Sequence, residues 1–115
     1  MKTLTIKLET LEEVVERAKT AATTRQYQGS FLTFGTYNDF ARVITGNRLR
    51  MLNTLVNTDE GLTVRGLADK LGRNLRAVHD DLKALESYGL VVNERGNIHV
   101  PYDDLHIDVH IRRAA

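Results

Sequence analysis

LTVRGLADKLGRNLRAVHDDLKALESYGLVVNERGNIHV, residues 62–100, decides the fold. Thr63 is a good N-cap, and Leu62 before it can staple onto Leu67. Val64, Leu67, Ala68 and Leu71 then recur on one helical face. Gly72 ends that helix, since glycine takes a left-handed cap without steric cost. Asn74 can cap a second helix, in which Leu75, Val78, Leu82 and Leu85 are spaced as one buried stripe. Gly89 followed by Leu90 predicts a Schellman ending. A hairpin comes next, with strands at 90–92 and 98–100 around a turn over 93–97, and Pro101 stops the ladder.

Two short helices, a tight turn and a Gly-tipped hairpin, in that order, predict a winged helix-turn-helix. Such a module places its second helix in the DNA major groove. Ala68, four residues before Gly72, is small where the helices would cross.

Working outward, residues 3–8 (TLTIKL) alternate as a half-buried strand. Thr10 with Glu13 forms a capping box for a helix over about 10–25, with Leu11, Val14, Val15, Ala18 and Ala22 as its stripe. Residues 23–30 (TTRQYQGS) read as a loop, and Phe31, Leu32 and Phe34 as a brief extended segment. Thr36 can cap a short helix carrying Tyr37, Phe40, Val43 and Ile44. Thr45 can cap the next, with Leu49, Leu52, Leu55 and Val56 inward. Residues 57–61 form a turn before the paired helices. The tail alternates again: Leu105, Ile107, Val109 and Ile111 face one way, His106, Asp108, His110 and Arg112 the other. The expected fold is therefore α+β and mainly helical. It comprises a strand-helix dimerisation appendage (1–35), a winged helix-turn-helix (36–102) and a C-terminal strand (103–115). Isolated strands leave their edges unpaired, so the terminal strands and the 10–25 helix are expected to build a homodimer. Asp81 lies beside the buried stripe and Arg48 opens the helix behind it, which predicts a charge-assisted pair.

Composition narrows the function. The chain has 115 residues, no cysteine and 42% hydrophobic residues, which suits one modest globular core without disulfides or thiolate chemistry. It holds no apolar run of membrane-spanning length and no signal-peptide h-region at its start, so the expected compartment is the cytoplasm and no membrane partner is expected. Net charge is only +1, but its distribution is uneven. Arg65, Lys70, Arg73 and Arg76 stand against Asp69 alone, inside the paired helices.

On the face of the second helix opposite its stripe lie Arg73, Asn74, Arg76, Ala77, Asp80 and Lys83, with His79 at the edge. Arg76 can reach guanine in bidentate fashion, Asn74 adenine, and Ala77 a thymine methyl. Asp80 can accept from cytosine or orient Arg76 one turn earlier. Lys83, Arg65 and Thr63 lie where phosphates would pass, and Arg95 sits at the hairpin tip. The bland alternative is an ordinary solvated face. His106, Asp108 and His110 alternate on one strand face, as metal ligands can, but spacing supplies no further ligand, and the wet face of an amphipathic strand is the better account of them. The chain has no phosphate-cradling glycine loop, no nucleophile elbow and no catalytic cysteine. No enzyme activity and no cofactor are expected.

Over its whole length the chain also resembles a prokaryotic family of small MarR-like winged-helix transcriptional regulators. The resemblance is carried by TLTIKL, LTFGTYNDFARVITGNRLRMLNTL, LADKLGRNLRAVHDDLKALESYGLV and IHVPYDDLHIDV, and within them by the motifs at Thr45 to Arg48, Val78 to Asp81 and Val100 to Asp103. Members of that family include TumA-type antitoxins paired with TumE-type toxins. The resemblance implies a sequence-specific DNA-binding autorepressor of a type II toxin-antitoxin pair, with double-stranded operator DNA, a second copy and a cognate toxin as partners. Symmetric dimers of this kind read palindromic sites. The competing expectation is a winged-helix protein-interaction module without DNA binding.

Overall fold

The computed structural model describes residues 1–24, 29–111 and 113. Among them are five helices and five strands, an α+β architecture. In chain order these are β1 (Thr3–Leu8), α1 (Leu11–Thr24), β2 (Ser30–Phe34), α2 (Tyr37–Val43), α3 (Gly46–Val56), α4 (Val64–Leu71), α5 (Leu75–Ser87), β3 (Val92–Glu94), β4 (Asn97–His99) and β5 (Asp104–Asp108). The chain forms two compact units, Met1–Arg42 with Asp104–Ala115, and Val43–Asp103.

The first unit is built on a three-stranded parallel sheet in the order β2-β1-β5. Leu4 is opposite Ser30 and Leu105, and Ile6 opposite Leu32 and Ile107, so the alternating apolar side chains share a face. Leu4, Ile6 and Phe34 are buried. Both edges of β1 are thus satisfied within the chain, which removes unpaired strand edges as a reason for β1 to dimerise. The tail strand is shorter than its alternation suggests. It ends at Asp108, Ile107 is partly exposed and Ile111 is fully outward, while Arg112 lies outside the described residues. Phe40 of α2 meets the Phe34 ring edge-on, with centroids 5.8 Å apart.

Thr10 caps α1 as the sequence predicts: its Oγ1 accepts from the Glu13 amide at 3.2 Å, and its hydroxyl reaches Glu13 Oε1 at 3.3 Å. The helix is then moored at its middle. Glu9 is buried, and Arg17 donates to it twice, from Nη2 at 2.8 Å and Nε at 3.4 Å. The same guanidinium lies 3.8 Å from the centroid of the Phe31 ring. This mooring sets the helix rotation. Val14, Arg17 and Ala21 are half-buried, whereas Leu11, Val15, Ala18 and Ala22 are exposed. The single stripe read from the sequence therefore splits, with Val14 on the half-buried side. Residues 25–28, read as loop, lie outside the described residues.

The second unit packs α3, α4 and α5 around Met51, Leu52, Leu55, Leu67, Val78, Leu82, Leu85, Leu90, Val91 and Ile98, all buried. Thr45, Thr63 and Asn74 each cap their helix by accepting from backbone amides of its first turn. Ala68 is buried, as close helix crossing requires. At the end of α5 the Leu90 amide donates to Leu85 O and the Gly89 amide to Glu86 O, both at 3.0 Å, which is the predicted Schellman pattern. On α3, Leu49 is exposed and Met51 fills the core position.

The hairpin is tighter than its composition suggests. Glu94 pairs with Asn97, so the turn is only Arg95-Gly96, with φ of 54° and 89°. Two positive φ values define a type I′ turn, whose twist matches paired strands. Asn93 Oδ1 accepts the Gly96 amide at 2.8 Å and holds it. Residue 62 bridges to the other side of the hairpin: the Leu62 amide donates to Ile98 O at 2.9 Å and the Ile98 amide to Leu62 O at 2.7 Å. This approach needs Gly61. Its φ is +75°, and a Cβ there would lie 2.7 Å from Ile98 O. Gly61→Ala is expected to destabilise the protein by about 1–2 kcal/mol in urea unfolding. An unchanged midpoint would show that the loop relaxes freely.

Candidate nucleic-acid interface

The basic side chains of the second unit fall into two groups. Arg48 and Arg73 are committed to structure. Arg48 Nε donates to Asp81 Oδ1 at 3.1 Å, and its Nη1 to Val43 O at 3.0 Å. Arg73 Nη1 donates to Asp81 Oδ2 at 2.9 Å and lies 3.5 Å from Met51 Sδ. The Arg48–Asp81 pair follows the sequence expectation, and Arg73 is an addition to it. All three side chains are only 18–19% exposed. Arg73 comes here because the left-handed Gly72 turns the chain, and the Arg73 amide closes that turn on Ala68 O at 3.0 Å. The guanidinium that sequence reading put on the open face thus clamps α5 to α3 instead.

Arg50, Arg65, Lys70, Arg76, Lys83 and Arg95 form the second group. All six are exposed, and none has a side-chain partner among the described residues. Arg76, Asp80 and Lys83 follow one another at i, i+4 and i+7, the row of α5 opposite Val78, Leu82 and Leu85. Asp80 does not reach Arg76: its Oδ1 is 3.7 Å from His79 Nδ1. It therefore stands as a negative charge between two free cations. Asn74 is also tied. Its Oδ1 accepts from the Arg76 and Ala77 amides, leaving only its amino group for another partner. Bidentate recognition of adenine needs both ends of that amide, so the cap competes with it. Thr63 Oγ1 accepts from the Gly66 amide at 3.0 Å, and its hydroxyl can still donate. Ala77 is half-buried beside the row.

A groove brings several of these residues together. Thr63, Val64, Arg65, Leu75, Arg76, His79 and Gly96 line it, so it runs from the start of α4 across the start of α5 to the hairpin tip. A smaller groove continues along α5, sharing Val64 and His79 and adding Lys83 and Glu86. Leu75, Val64 and Gly96 were not among the sequence candidates. Leu75 was assigned to the core stripe, yet it is 41% exposed. The spacing could not separate it, because the first residue of a helix can satisfy the stripe and still overhang the core. Leu75→Ala is expected to cost under about 1 kcal/mol in urea unfolding, where a buried leucine would cost 2–5 kcal/mol. A larger loss would return Leu75 to the core.

The tail candidates do not converge. His110 Nε2 meets Asp108 Oδ1 at 2.8 Å, Lys7 Nζ lies 3.8 Å from the other Asp108 oxygen, and His106 is exposed. Among the described residues no three His, Cys, Asp or Glu side chains are grouped to hold a metal ion. No helix among them is long and apolar enough to cross a membrane.

The fold and this site define a small α+β protein with a helix–turn–helix–hairpin unit and an open, largely apolar groove that Arg65 and Arg76 flank at the start of its last helix. The sequence profile of the HVO_A0114 family matches residues 43–107, more than half of the chain, and the chain belongs to that family. The match begins where the second unit begins and so takes in the whole groove. No curated protein matches the chain.

Proposed function

We propose that the chain is a sequence-specific DNA-binding regulator of the winged-helix type, with α5 as its reading helix and the β3–β4 hairpin as its wing. The carrying observation is the sorting of cations. Arg48 and Arg73 are locked onto Asp81, while Arg65 and Arg76 stand exposed without partners on the groove at the starts of α4 and α5. Unpaired exposed cations beside helix N-termini are what phosphate and base contacts require. Arg76, in the first turn of α5, has the reach for guanine, and Leu75 beside it offers an apolar surface to a thymine methyl. Arg95 stands exposed at the wing tip, where the type I′ turn gives it a positive φ. No cofactor or chemical step is part of this function.

The resemblance to TumA-type antitoxins adds autorepression and a toxin partner to the proposal. Asp80, between Arg76 and Lys83, favours the competing assignment, a protein-binding module, because it would repel phosphates. An electrophoretic shift with the DNA upstream of the chain's own reading frame, in excess unrelated duplex, separates the two. A retained complex supports regulation, and no shift at micromolar protein supports the protein-binding module.

A further inference from the structure

We infer that the groove at the starts of α4 and α5 senses the C5-methyl group of a pyrimidine beside the guanine held by Arg76, so that 5-methylcytosine is bound like thymine and plain cytosine is disfavoured. This rests on α5 being a DNA-reading helix, and it adds to that function a response to cytosine methylation. Leu75, at the first position of α5, is 41% exposed, and Val64, at the first position of α4, is half-buried. Both line one groove, which Arg65 and Arg76 flank. The core does not need the Leu75 side chain, because Val78, Leu82 and Leu85 complete the buried stripe of α5. Apolar surface rimmed by charge in this way marks a place of contact.

Phosphates have no use for such a surface, since they take cations and hydrogen-bond donors. Along the major-groove edges of the four base pairs there are donors, acceptors and a single apolar substituent, the C5-methyl of thymine. 5-Methylcytosine carries the same methyl on the same carbon. An apolar side chain makes no hydrogen bond at position 4, so it does not distinguish the oxygen of thymine from the amino group of 5-methylcytosine. It responds to the methyl alone. Leu75 and Arg76 are consecutive in the first turn of α5, which places the methyl next to the guanine that Arg76 reads. The aliphatic stem of Arg76 can then cover the methyl from the side away from Leu75. Ala77 is half-buried and carries a single side-chain carbon, so it offers far less apolar surface than Leu75. Burying one methyl group is worth about fourfold in affinity.

Anisotropy titrations of the full chain with the DNA upstream of its own reading frame test this. Each thymine of that duplex is replaced in turn by uracil, which keeps the base pairing and removes only the methyl. At a thymine beside a guanine, affinity is expected to fall about fourfold. With a cytosine–guanine pair put at that position, 5-methylcytosine is expected to bind about fourfold tighter than cytosine. Leu75→Ala, which leaves the buried stripe intact, should bring both ratios close to one, whereas the equally apolar Leu75→Met should keep them. Ratios near one at every position in the parent, or ratios that persist in Leu75→Ala, overturn the methyl-sensing role while leaving DNA binding in place. No binding to the unmodified duplex overturns it together with the DNA-binding function.

Discussion

Asp81→Asn is expected to lower the stability of the protein by about 3 kcal/mol, the largest loss from any single polar substitution in the second unit. Its carboxylate accepts from Arg48 at 3.1 Å and Arg73 at 2.9 Å, and all three side chains are largely enclosed. Neutralising the centre leaves two guanidinium groups close together in a poorly hydrated place. Neither can lose its proton, so the repulsion cannot titrate away. The elements tied together here are α3, the α4–α5 turn and α5, so the pose of α5 should loosen with the fold. Urea unfolding followed by circular dichroism measures the change, and a loss below about 1 kcal/mol would mean that water screens the cluster. Replacing Arg48, Arg73 and Asp81 together by Met, Met and Leu should cost less than Asp81→Asn alone, because no buried charge is then left unpaired.

Arg76→Ala is expected to weaken binding to a cognate duplex by about 10- to 100-fold and to relax preference at one base position, the loss of one bidentate contact. Arg76 has no partner to lose within the protein and lies opposite the buried stripe of α5, so stability should stay within about 0.5 kcal/mol of the parent. Lys83→Ala should behave differently. As a phosphate contact it would weaken matched and scrambled duplexes alike and lower the slope of log K against log salt by about one unit. Equal effects from both variants would make Arg76 a backbone contact as well.

Local signals were the most readable part of the sequence. Each cap at Thr10, Thr36, Thr45, Thr63 and Asn74 holds a backbone amide, because capping chemistry depends on neighbours three residues away at most. The Gly89 ending is local too. The Arg48–Asp81 pair spans 33 residues and was still readable, since the two stripes fix which faces of α3 and α5 meet. What failed to show depends on distance in the chain or on competition for one group. Pairing of β5 with β1 joins residues 101 positions apart, and alternation alone names no partner. Glu9 and Arg17 meet across a strand-to-helix junction that has no period of its own. For the site, Arg65, Arg76, Lys83 and Arg95 are exposed as a reading of polar faces would have them, whereas Arg73 and Asn74 are engaged elsewhere. The turn that makes the motif recognisable draws Arg73 inward and ties Asn74 to its own helix, so the pattern hides their second use.

The most direct test of the DNA-binding proposal is a fluorescence-anisotropy titration of the parent chain with its own upstream duplex and a scrambled one, at about 50 and 200 mM salt. The proposal predicts binding to the upstream duplex at least about 1,000-fold tighter than to the scrambled one at the higher salt, with affinity for both falling as salt rises. Equal affinity for the two duplexes, or no binding at either salt, would contradict it and leave the groove along α5 to a protein partner.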